Sequence, residues 1–162
     1  MNAAELNAKP IISSEQLLEN WQGHRRLTRR VIEVFPEKEL FEFSIGGMRP
    51  FSEMTKELLA IAVPGLTQIA HDQNVEFDES RSELKSKQDL LNAWDAQTEE
   101  INSLWKKISP ERFHEEVNLF GQYKYPAIYN IQYFIDNEIH HRAQGFVYLR
   151  SLGIEPPFFW ER

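Results

Sequence analysis

Cysteine is absent from the chain. That absence excludes disulfides, thiolate zinc centres and a cysteine nucleophile, and it fits a reducing cytoplasm as the expected compartment. Long apolar runs are missing too. Nothing approaches the roughly 20 consecutive residues a membrane-spanning helix requires, so no membrane partner is expected. The opening residues, MNAAELNAKPIISSEQ, carry an early acid and no long apolar core, so no signal peptide is expected. Positive charge is in the minority, 18 Lys and Arg against 25 Asp and Glu, a formal net charge of −7. Such a balance opposes a phosphate backbone, and nucleic acid is not an expected partner. Walker loops, nucleophile elbows and dinucleotide-binding glycine patterns are absent, as are internal repeats and low-complexity tracts. What is present is an ordinary globular composition, 41% hydrophobic over 162 residues, enough for one domain with a proper core. The expected organisation is an arm over 1–12 and a single domain over 13–162.

Helical punctuation divides that domain. Ser13 and Gln16 form a capping-box pattern that opens a helix running to about Phe35, where Pro36 stops it. Its inward stripe is Leu17, Trp21, His24, Thr28, Val31 and Phe35. A linker with Gly46 and Gly47 leads to Pro50, suited to a helix's first turn. From there Phe51, Met54, Leu58, Ala62 and Leu66 repeat with helical period, with a kink expected at Pro64–Gly65. Residues 72–86 are polar and aperiodic, a connection long enough to cross a bundle. A third helix starts near Ser86 and turns Leu90 or Leu91, Trp94, Thr98, Ile101, Trp105 and Ile108 inward. Ser109–Pro110–Glu111 stops it and caps a shorter helix expected to reach about Phe120, closed by Gly121. The last helix follows Pro126 and runs to Leu152, with Gly153 as its left-handed cap and Pro156–Pro157 barring continuation. No useful strand alternation is apparent. The expected fold is all-α, a four-helix bundle with a short extra helix before the last long one.

The richest stretch is DNEIHHRAQGFVYLRSLGIEPP, residues 136–157. Asn137 and His141 stand one turn apart on one side of the helix, so their tips can converge on one atom, as metal-ligating helices arrange theirs. Gln144 extends the stripe, and Phe134 and Tyr148 carry it into apolar surroundings. Enclosed polar groups of this kind need partners or a ligand, because burying them unpaired is costly.

Three segments resemble the DinB/YfiT-like superfamily of small bacterial bundle proteins. They are RRLTRRVIEVFPEKELFEFSIGGMRPFSEM (25–54), the helix from Leu90 to Ile108, and NEIHHRAQGFVYLRSLGIEPPFF (137–159). The most specific element is HHR-x-Q-x-x-x-Y-L-R-x-L-G followed by two prolines. The resemblance implies a bundle in up-down-down-up order, commonly paired into a homodimer. It also implies a divalent metal, nickel or zinc, held by one histidine on the second long helix and an H-x-x-x-H pair on the fourth. Carried onto this chain, the second histidine of the pair falls on His141. The first falls on Asn137 and the helix-two histidine on Glu57, so two of the three positions depart from the pattern. Glu and Asn still offer oxygen donors, although neutral Asn is a weak ligand for these metals. The resemblance implies a metal-dependent thiol-transferase or hydrolase-type enzyme acting on a small molecule or thiol. Relatives of the mycothiol-dependent maleylpyruvate isomerase and bacillithiol transferase types use a metal to lower the pKa of a bound thiol.

The same three residues also read as a buried polar network without a metal. In that reading Glu57 accepts hydrogen bonds from His141 and the Asn137 amide and pairs with Arg142 or another base. The protein is then a non-catalytic binding or scaffold protein with a degenerate site. Other histidines offer little help. His71 lies about 21 Å from Glu57 along a straight helix, His24 and His114 stand alone, and His140 points about 100° away from His141. Arg25/Arg29 and Arg26/Arg30 form a basic stripe, expected as a solvated or salt-bridged face. Phe158, Phe159 and Trp160 are expected to dock on the bundle or on a partner subunit.

Overall fold

The computed structural model describes residues 10–162. Most of the expected arm, residues 1–9, lies outside the described residues; Ile11 and Ile12 at its end are exposed. Helix α1 spans Ser14–Val34, opened by the expected capping box: the Ser13 hydroxyl accepts from Gln16 N and the Gln16 side chain accepts from Ser13 N. The linker contains a short helix that the sequence pattern did not disclose, α2, Glu37–Glu42, anchored by buried Leu40. Helix α3, Phe51–His71, starts after Pro50 and runs continuously through Pro64. Helix α4, Lys87–Trp105, has its own capping box, Ser86 with Asp89. The 72–86 segment between them holds no helix or strand. Helix α5, Ala127–Ser151, ends before Gly153 in the left-handed conformation at φ 74°.

One expectation is corrected. The short extra helix toward Phe120 is only a single 3-10 turn, Arg112–His114, followed by a two-stranded hairpin, β1 (Glu116–Leu119) and β2 (Tyr123–Pro126). The strands pair antiparallel with Val117 opposite Tyr125. The reason is period two: Val117 and Leu119 are buried while Glu116 and Asn118 are exposed. Phe120 and Gly121, at φ 53° and 71°, reverse the chain. Gln68 of α3 holds this turn from below, donating to Asn118 O and accepting from Phe120 N.

Side-chain pairings fix the order of the four long helices. Gln22 meets Asn102 and Arg29 meets Asp95, so α1 and α4 run antiparallel. Glu57 meets Asn137, Phe51 lies on Gly145 and Phe134 on Gly65, so α3 and α5 are antiparallel. The apolar clusters show the other two pairs to be parallel. One end of the bundle collects Trp21, Leu66, Ile101 and Ile131, the other Val31, Leu58, Leu90 and Leu149. This is the up-down-down-up order, with 72–86 as the crossover that joins parallel α3 and α4.

Between the two apolar clusters lies a polar layer. Glu138, buried at 2% exposure, accepts from the Thr28 hydroxyl at 2.6 Å, and Arg142 approaches it at 3.9 Å. Arg142 also donates to His24 O, and Arg25 lies 4.1 Å above the Trp94 ring while donating to Trp94 O and Thr98 Oγ1. Arg25 therefore departs from the expected solvated stripe. It sits one turn after buried Trp21 and points inward, whereas Arg26, Arg29 and Arg30 form surface pairs with Glu19, Asp95 and Glu161.

Candidate functional site

Two glycine contacts bring α3 and α5 close enough to share polar groups. A Cβ on Gly65 would stand 2.5 Å from the Phe134 ring, and one on Gly145 would stand 2.6 Å from the Phe51 ring. Between these contacts the three expected residues converge. Asn137 Nδ2 donates to Glu57 Oε1 at 3.2 Å, and His141 Nε2 lies 3.2 Å from the same oxygen. On the far side of its ring, His141 Nδ1 lies 2.7 Å from Gln144 Oε1, and Gln144 in turn donates to Met48 Sδ. Both ring nitrogens lie within hydrogen-bonding distance of a side-chain oxygen.

The other carboxylate oxygen of Glu57 has a partner that the sequence did not single out. The Arg49 guanidinium donates to Glu57 Oε2 in a close ion pair. Arg49 owes its position to the turn before α3, where Gly46 and Gly47 adopt φ 60° and 76°. Its backbone is fixed by Tyr148, whose hydroxyl donates to Arg49 O at 2.9 Å. Of the expected partners for Glu57, Arg142 or another base, the structure has the other base, Arg49, while Arg142 is engaged by His24, Thr28 and Glu138 in the polar layer. The only advance signal for Arg49 was a basic residue immediately before the prolyl start of the helix carrying Glu57.

These partners set the charge of Glu57. Hydrogen bonding by His141 is the largest influence; burial opposes it, while Arg49 and Asn137 act with His141 to hold the carboxyl down at about 2. Glu57 also forms part of the wall of a cavity of about 210 Å³, together with Ile61, Phe77, Phe120, Tyr123 and Tyr133. Tyr133 has its phenol pKa raised, first by burial and then by the Glu57 charge. A larger cavity of about 440 Å³ adjoins it across Tyr123 and Tyr133, lined also by Tyr125, Tyr129 and Asn130.

The donor set falls short of the metal site implied by the resemblance. Of the three site residues, Glu57 and His141 are the strong donors. One Glu57 oxygen already carries a guanidinium, and Asn137 turns its N–H group, not its oxygen, toward the carboxylate. Among the described residues no three His, Asp or Glu side chains are grouped to hold an ion. Histidines elsewhere do not complete the set: His140, His71 and His114 are exposed. His24 is buried between Arg142 and Arg162, 2.9 Å from each, and burial followed by these two charges lowers its pKa to about 4.

Comparisons with known proteins agree with this architecture. A DinB-like protein from Bacillus cereus ATCC 10987 superimposes with a TM-score of 0.73, at 16% identity over 90% of this chain and 97% of the other. A DinB-like protein from Bacillus subtilis gives 0.71 at 22% identity, over 91% and 99%. At these identities the likeness concerns the fold alone. No curated protein matches the chain. The DinB family model matches residues 5–161. With nearly its whole length matched and the bundle order reproduced, the chain belongs to the DinB family.

Proposed function

We propose that this chain is a metal-independent, non-catalytic member of its family, a binding protein in which the Arg49 guanidinium gives Glu57 the positive partner an ion would otherwise be. The observation that carries this reading is the Arg49–Glu57 pair. A permanently charged guanidinium on the carboxylate supplies the positive charge an ion would supply, and it takes up one of the two oxygens Glu57 could offer an ion. His141 and Asn137 then hold Glu57 as a fixed polar wall for the adjoining cavities instead of ligating a Lewis acid. Thiol-transferase or hydrolase chemistry through nickel or zinc has no support in the donor set.

The same reading includes a homodimer. Phe158 stacks on Trp160 and Phe159 meets the same ring edge-on, yet the three remain 48%, 66% and 62% exposed, an apolar patch suited to a second copy. Light scattering should give about 38 kDa, twice the 19.1 kDa chain. A single 19 kDa species at micromolar concentration would remove the dimer from the account.

The metal-independent reading is tested by restoring the site. Zinc titrated calorimetrically into the wild-type protein should give no saturable heat. Arg49→Ala with Asn137→His frees Glu57 Oε2 and adds a third strong donor, and this double variant should bind one zinc per chain. Saturable binding of one zinc by the wild type would overturn the reading.

A further inference from the structure

Four tyrosines meet at the hairpin end of α5. Tyr123 and Tyr125 come from β2, Tyr129 and Tyr133 from the first two turns of the helix, and together with Asn130 they line the 440 Å³ cavity. The rings stay between 48% and 60% exposed, so they are not spent on the core. A volume of this size suits a small ligand, and the ring faces carry the negative end of the aromatic quadrupole. Among the described residues no charged side chain lines it, and the adjoining cavity adds two carboxylates: Glu57, whose charge Arg49 offsets, and Glu79, which has no ion-pair partner among them. Lys124, between the two strand tyrosines, is tied to Glu116 at 2.9 Å. The chain as a whole carries −7.

We propose that this tyrosine-lined cavity binds a small organic ammonium ion, its cationic head seated against the phenol faces of Tyr125, Tyr129 and Tyr133. Cation–π attraction supplies the recognition, and the Glu79 carboxylate of the neighbouring cavity, within a chain of net charge −7, adds a favourable field. Inorganic and organic anions are disfavoured by the same field. The assignment rests on the metal-independent reading, because the Arg49–Glu57 pair is neutral overall, whereas a divalent ion on Glu57 would leave net positive charge behind Tyr133. The two can fail separately, since metal content is measured without any ligand.

The test is a calorimetric titration of the full chain with choline and with its neutral isostere, 3,3-dimethylbutan-1-ol. Choline should saturate at one per chain, with the isostere at least roughly tenfold weaker, the loss expected when cation–π attraction is removed. Tyr129→Leu keeps apolar volume but removes the ring face, and should weaken choline binding roughly 5- to 30-fold while leaving the urea midpoint unchanged. Tyr125→Leu is an independent second variant with the same expectation. Equal affinity for the two probes would overturn the proposal, as would the absence of saturable choline binding. So would a Tyr129→Leu variant that binds choline normally but changes mass in light scattering, which would make the cavity an interface between copies.

Discussion

Replacing Glu57 by Gln tests the charge network in one substitution. Gln keeps the size and one acceptor oxygen, but it removes the charge and sets an amide N–H against a guanidinium or imidazole donor. A carboxyl with a folded pKa of about 2 against an ordinary 4.5 contributes stability in full above pH 4.5. That contribution is lost as the pH falls toward 2, because the unfolded chain takes up the proton first. Undiscounted, the shift corresponds to about 3 kcal/mol. Arg49 is 45% exposed, so solvent screens part of the network, and about 1.5–2 kcal/mol is the expected contribution at neutral pH. Urea denaturation of both proteins at pH 7, 5, 4 and 3 reads this directly. The difference between wild type and Glu57→Gln should be about 1.5–2 kcal/mol at pH 7 and should shrink steadily below pH 4.5. Titration of all the other carboxyls affects both proteins alike and cancels. A difference at pH 3 as large as that at pH 7 would show that Glu57 is not held ionised by its partners, and the reasoning would fail.

Two further substitutions probe the packing that positions the site. Glu138→Ala leaves Arg25 and Arg142 buried without their carboxylate and should cost about 3 kcal/mol or more in urea denaturation; a cost below about 1 kcal/mol would mean that the polar layer is well solvated. Gly65→Ala should gain about 1 kcal/mol in helix propensity. It should lose about 1–3 kcal/mol in overpacking against Phe134, whose ring a new Cβ would approach to 2.5 Å; a thermal melt showing stabilisation would indicate that α3 and α5 are less tightly apposed than described.

Much of this architecture was legible in the chain. Ser13 with Gln16, Ser86, and Gly153 before Pro156–Pro157 announced helix ends because capping is local chemistry. Convergence of Glu57, Asn137 and His141 was also legible: the i, i+4 spacing fixed one wall of the site and the family pattern fixed the other. Arg49 was not, because its reach to Glu57 depends on the left-handed turn at Gly46 and Gly47 and on the Tyr148 anchor 99 residues away. The hairpin was missed because strands of four residues show only two inward positions each, too few to compete with a helical reading. The sequence points Arg25 to the surface because charged residues usually are solvated; its burial depends on Trp94 from another helix.

The proposal that the Arg49 guanidinium serves Glu57 in place of an ion is tested most directly by elemental analysis of the protein, expressed without a histidine tag in medium supplemented with nickel and zinc and purified without chelators. The account predicts far less than one ion of either metal per chain after desalting. Close to one nickel or zinc per chain, lost on substitution of His141 or Glu57, would contradict it.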